Sequence, residues 1–166
     1  MTKERLNSTI KYTAISVGIA IVSMPVIFFA VFLFIVAPPE PSVAKMEREL
    51  IKNKEMIMIV VDSFEKSGSE TIYITDTELE KISNKWIEKD VELDDKCYEA
   101  MLQLVKKGYG VFLKKGETVE FQRWSTLDCS SGIAYTPDGS EPEISDLSFL
   151  KPLSEPGWYY YFASRE

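Results

Sequence analysis

The chain predicts an α+β fold behind a membrane anchor: an N-terminal transmembrane helix, then a domain of about three helices packed on a mainly antiparallel sheet of about four strands. Three observations carry that expectation. The first is an uncharged apolar run from Tyr12 to Ala37, "YTAISVGIAIVSMPVIFFAVFLFIVA". The second is a change of hydrophobic period at Gly108, from three-and-four spacing before it to alternation after it. The third is their order. Helical patterns come first and strand patterns later, as when helices gather on one face of an antiparallel sheet.

A helix rises about 1.5 Å per residue, so about 20 apolar residues cross the hydrocarbon core of a bilayer. The run exceeds that length and can span with some tilt. Pro25 falls near its middle, where bilayer helices tolerate proline. A soluble helix would carry a polar face, and this run has none. A cleaved signal peptide is the rival reading, because Ser42 to Ala44 offers small residues at cleavage spacing. Against it, the run exceeds the roughly 7–15 residues of a signal core, and Pro38, Pro39 and Pro41 precede the site. The expected layout is a cytoplasmic tail over 1–11, a signal-anchor helix over 12–37, a Pro-rich linker over 38–42 and an extracytoplasmic domain over 43–166. Lys3, Arg5 and Lys11 before the span place the N-terminus inside, although Lys45, Arg48, Lys52 and Lys54 pull the other way. Ala14 with Gly18, and Ser16 with Ala20, set small residues four apart, a spacing that lets helices approach closely.

Beyond the linker, Val43, Met46, Leu50, Ile57, Val61 and Phe64 follow helical spacing, interrupted at Lys54. One amphipathic helix fits this pattern, and so does a short heptad seam. The segment "MIMIVV" also fits a buried strand, since periodicity does not separate the two for a short apolar run. "SGS" at 67–69 ends the element, and "TIYIT" is a short strand or extended link. Thr75 and Glu78 have the spacing of a capping box, with Leu79, Ile82 and Trp86 on one face of the helix it opens. Asp94 is a good N-cap for a further helix, with Leu93 and Tyr98 placed as a hydrophobic staple. Tyr98, Met101, Leu102 and Val105 form its apolar stripe, and Gly108 ends it.

"YGVFLKKGETVEFQRW" then reads as a hairpin turning at Gly116. "GIAYTPDGSEP" is a third strand running into a Pro-Asp-Gly turn. "WYYYF", after Pro156 and Gly157, is a fourth. Alternation there points Trp158, Tyr160 and Phe162 toward the helices bearing Leu79, Trp86, Tyr98 and Met101. It leaves Tyr159 and Tyr161 on the other face as the candidate binding residues.

Composition narrows the chemistry. The 166 residues carry a formal charge of −7, which disfavours nucleic acid and anionic lipid surfaces, both of which require clustered Lys and Arg. There is no histidine, which removes the commonest general base, the commonest zinc ligand and the Ser-His or Cys-His pair. No Gly-rich phosphate loop and no G-x-S-x-G turn is present. Asp138, Glu141, Glu143 and Asp146 cluster in sequence, but their spacing does not match a calcium loop, and no metal or other cofactor is expected. Cys97 and Cys129 are the only cysteines, and they read equally as one disulfide of an exported domain or as two separate thiols.

The function expected is therefore that of a single-pass membrane-anchored protein displaying a small extracytoplasmic binding or assembly domain. Its partners would be membrane lipid through the anchor and a protein. An accessory subunit of a larger membrane complex and an envelope enzyme using carboxylates are the alternatives.

Overall fold

A computed structural model describes residues 41–83 and 93–165, less the side chains of Ile82 and Ser83. The expected cytoplasmic tail, the apolar run, most of the expected linker and Trp86 lie outside the described residues. Among the described residues no helix is long and apolar enough to cross a membrane.

The elements run α1 (Val43–Lys66), β1 (Thr71–Thr75), α2 (Asp76–Ser83), α3 (Asp95–Val105), β2 (Val111–Lys115), β3 (Thr118–Ser125), β4 (Cys129–Tyr135), β5 (Leu147–Pro152) and β6 (Trp158–Ser164). The six strands form one antiparallel sheet in the order β1-β2-β3-β4-β6-β5. The α+β class and the antiparallel sheet stand as expected, but with two more strands than the sequence indicated. "TIYIT" resolves as the edge strand β1. The other addition is β5, whose residues are mostly exposed and show no alternation. Its pairing comes entirely from β6, so nothing local announces it.

Helix α1 is continuous through "MIMIVV" because the helical stripe never breaks: Met46, Leu50, Asn53, Ile57, Val60, Val61 and Phe64 are all buried on one face. Asn53, rather than Lys54, occupies the polar step in that stripe. Local start signals operate as read. Glu78 Oε2 accepts from the Thr75 N–H at 2.8 Å while Thr75 Oγ1 accepts from the Glu78 N–H at 3.2 Å, closing the capping box. Asp94 Oδ1 accepts from the Cys97 N–H at 2.7 Å. The stripe of α3 is turned from the expected one: Cys97, Tyr98, Ala100, Met101 and Leu104 are buried, and Leu102 and Val105 only flank them.

The helices cover one face of the sheet. There Ile72, Ile74, Phe112, Val119, Phe121, Ile133, Trp158 and Tyr160 meet the stripes of α1 and α3 in a single core. Burying a large apolar side chain of this kind contributes roughly 1.5–3 kcal/mol. Trp158 and Tyr160 join this core with Leu79, Tyr98 and Met101, as the alternation of "WYYYF" predicts. Phe162, half-buried, stacks on Trp124 at 6.3 Å between centroids. A β-bulge between Gln122 and Trp124 inserts Arg123 as an extra residue and swings Trp124 onto this face, against the simple alternation of the strand. Arg123 is held there by Glu49 of α1 at 3.4 Å and by the Lys107 carbonyl.

The connection from β4 to β5 positions the site. Because β6 lies between those strands, the chain must cross it, and it crosses on the face opposite the helices. The Glu143 N–H donates to Thr118 Oγ1 at 3.1 Å, and Ile144 packs over Ala134, Tyr161 and Ala163. This second face is thus covered over β4, β6 and the Thr118–Glu120 part of β3, and open over β1 and β2.

Candidate functional site

At the step between the covered and open halves lies a cavity of about 270 Å³. Its open wall is Tyr73 of β1 with Val111, Leu113 and Lys115 of β2. Glu120 and Gln122 of β3 and Tyr161 and Ala163 of β6 make the floor. Loop residues 126–128 and 144–146, with Arg165, close the rim.

The floor is built by strand parity and by two small residues. On β3, Val119 and Phe121 point into the helix-covered core, so Glu120 and Gln122 point the other way. On β6, Trp158 and Tyr160 point to the core and Tyr161 and Ala163 away from it. Strand β4 separates β3 from β6, which puts their backbones about 10 Å apart. Its residues on this face are Gly132, opposite Gln122 and Tyr161, and Ala134, opposite Glu120 and Tyr159. Neither obstructs, so the Tyr161 hydroxyl reaches over β4 and donates to the Glu120 carboxylate. Any larger residue at 132 is excluded as well, because a Cβ there would lie 2.2 Å from the Phe121 carbonyl oxygen.

Glu120 is only 7 % exposed. Burial pushes its carboxyl up to about 7, and the Tyr161 hydrogen bond and the charge of Lys115 only partly oppose that rise. Tyr161, 1 % exposed, is raised well above the ordinary tyrosine range, first by burial and then by the neighbouring Glu120. A neutral carboxyl and a phenol at the floor of an open cleft can donate or accept hydrogen bonds. Once ionised, the same carboxylate can hold a positive charge.

The sequence-derived candidates distribute unevenly over this geometry. Tyr161 is in the site but as its buried floor. Tyr159 is half-buried and outside the cleft, where its hydroxyl donates to the Gly139 carbonyl at 2.6 Å and pins the turn after β4. Glu120 went unread because alternation marks it only as a polar residue facing away from Val119 and Phe121. The local signal that could have found it is a Gly and an Ala at alternate positions of the next strand.

Cys97 and Cys129 are both free thiols. Cys97 lies in the core near Ser63, in the part of α1 whose Phe64 carbonyl meets Lys114 of β2, opposite Val119. Cys129 is at the other end of the sheet beside Ser125 and Ser164, its thiol 3.5 Å from the Ser164 hydroxyl. From Val119 to Ser125 is roughly 20 Å of strand, far beyond the roughly 7 Å that a disulfide allows between Cα atoms. Burial pushes the Cys97 thiol up to about 12, which keeps it protonated and unreactive.

The acidic stretch 138–146 does not converge. The Ser140 hydroxyl and then the Ser140 N–H, the latter at 2.9 Å, hold the Asp138 carboxyl below the ordinary range, and Asp146 pairs with Arg165 at 3.4 Å. Among the described residues no three His, Cys, Asp or Glu side chains gather to hold a metal ion.

The chain matches no family model, no curated protein and no solved structure.

Proposed function

We propose that this chain is a single-pass membrane protein with its N-terminus in the cytoplasm and its C-terminal domain displayed outside, and that the displayed domain binds a partner through the cleft beside Glu120 and Tyr161. The anchor rests on the apolar run from Tyr12 to Ala37 and on Lys3, Arg5 and Lys11 before it. The observation that carries the binding role is the half-open sheet face. Tyr73 is 59 % exposed on it, beside an apolar wall of Val111 and Leu113 and a buried polar floor. Clefts that combine apolar walls with a few fixed polar groups are the usual form of a recognition site.

The test places a photo-crosslinking residue at Leu113 in the full chain in its own membrane, with a second at Ile51, an exposed position on α1, as the control. A discrete adduct from Leu113 and none from Ile51 is expected. Adducts from Ile51 with none from Leu113 would move the binding surface to the helices and end this reading.

A further inference from the structure

The cleft also indicates what kind of group it receives. Glu120 is almost wholly withdrawn from water yet forms part of the floor of an open cavity. A carboxylate in that position is costly to ionise unless a positive charge or several hydrogen bonds meet it. The Tyr161 hydroxyl supplies one hydrogen bond. Of the two cations lining the cleft, Arg165 pairs with Asp146, and Lys115, exposed on the open wall, leaves the burial penalty on Glu120 largely standing. The walls above the acid are the aliphatic side chains of Val111, Leu113 and Ile144. The volume of about 270 Å³ is just below the roughly 300–1,000 Å³ of pockets that hold drug-sized molecules, so it suits one side chain or a small amine. The chain's charge of −7 favours the approach of cations over anions.

We propose that the cleft takes a cationic group on a short aliphatic stem, an alkylammonium or guanidinium ion, whose charge pairs with the Glu120 carboxylate while its stem lies against Val111 and Leu113. The proposal rests on the reading of this cleft as the binding site and adds the chemistry of the ligand. The cation can be a free amine or the lysine or arginine side chain of a partner protein. Binding draws Glu120 into its ionised form, with Tyr161 still donating to it. Around Glu120 stand Tyr73 and Lys115 from β1 and β2, Tyr161 and Arg165 from β6 and the segment after it, and Asp128, Cys129 and Asp146 from the rim. Since Glu120 ionises near neutral pH, the cation should bind more tightly as pH rises through about 7.

The experiment titrates the full chain in nanodiscs with four probes by NMR. They are n-butylammonium, butyrate, a blocked Ala-Lys-Ala peptide and the same peptide with its lysine acetylated. Butylammonium or the lysine peptide should shift the resonances of Leu113 and Tyr161. Acetylation or Glu120→Gln should weaken that binding by about tenfold or more, the loss expected when one partner of a desolvated charge pair is removed. Leu113→Trp, which fills the cleft and leaves the acid in place, should abolish it. A preference for the peptide over butylammonium identifies a protein side chain as the source, and the reverse identifies a free amine. Equal binding of butyrate, or unchanged butylammonium binding in Glu120→Gln, overturns the proposal. If Leu113 crosslinks a partner that no cationic probe displaces, the cation proposal fails and the binding-site reading survives. If the cations bind and Leu113 captures nothing, the protein-partner reading fails and the cleft is left as a site for a free amine.

Discussion

The Lys114 ammonium donates to the Phe64 carbonyl oxygen at 3.1 Å and also to Ser69 at 2.8 Å, tying the sheet to the last turn of α1. The final carbonyls of a helix have no intrahelical donor, and a cation there also meets the negative end of the helix dipole. Lys114 is buried, so the contact is shielded from water. Lys114→Met keeps the stem and removes the donor. It should cost about 1–3 kcal/mol, the penalty for leaving the Ser69 carbonyl without its donor, while the Phe64 carbonyl keeps the Ser67 hydroxyl at 2.8 Å. Urea unfolding of the domain from residue 41 measures it. An unchanged midpoint would show that water replaces the ammonium without loss.

Glu120 makes stability depend on pH with a definite sign. Its folded carboxyl is raised from the ordinary 4.5 to about 7, so the folded state holds a proton that the unfolded state has released. The stability linked to that proton is fully present below pH about 4.5 and is lost as pH rises through about 7. The span is on the order of 3 kcal/mol, at about 1.4 kcal/mol per pH unit. Glu120→Gln should flatten this slope and raise stability at pH 8 relative to the parent. A parent whose melting temperature does not fall between pH 5 and pH 8 would contradict the burial of this acid.

The aromatic strand should respond in proportion to burial. Tyr160 and Tyr161 are buried on opposite faces of the sheet, one in the main core and one under Ile144. Tyr160→Ala and Tyr161→Ala should each cost about 3–5 kcal/mol, a large part of the roughly 5–15 kcal/mol that holds a domain together. Tyr159→Ala removes a half-buried ring and one hydrogen bond to Gly139 and should cost clearly less. Thermal melts of the three variants rank them. A Tyr159 variant as damaged as the other two would mean that the turn it pins is integral to the fold.

The cysteines should react independently. Cys129 is partly exposed and should take up a maleimide in the folded protein, while Cys97 should do so only on unfolding. Non-reducing peptide mapping should find the two peptides unjoined. A bridged pair would require a rearrangement of the sheet ends.

Topology is testable on intact cells or spheroplasts. External protease should remove the domain after Pro41 and leave an N-terminal tag protected. Digestion of the tag with the domain intact would reverse the proposed orientation.

The features legible in the residues are those whose physics is local. A capping box closes within four residues, which is why Thr75 and Glu78 announce α2. Asp94 caps α3 in the same way. The turn at Gly116 joins neighbouring strands, and the stripe of α1 repeats along one segment. Period two separates Tyr160 from Tyr161 without reference to any other part of the chain. Only the tertiary structure decided the rest, because each remaining feature depends on a distant partner. β5 is a strand through its pairing with β6, not through its own exposed residues. The crossing of β6 by the β4–β5 connection buries Tyr161, which alternation alone would leave open. The bulge at Arg123 turns Trp124 to the helix side. Glu120 and Tyr161, 41 positions apart in the chain, become neighbours because Gly132 and Ala134 leave the space between them clear. A pattern within one strand tells which face a residue takes, and the order of strands in the sheet tells what it meets there.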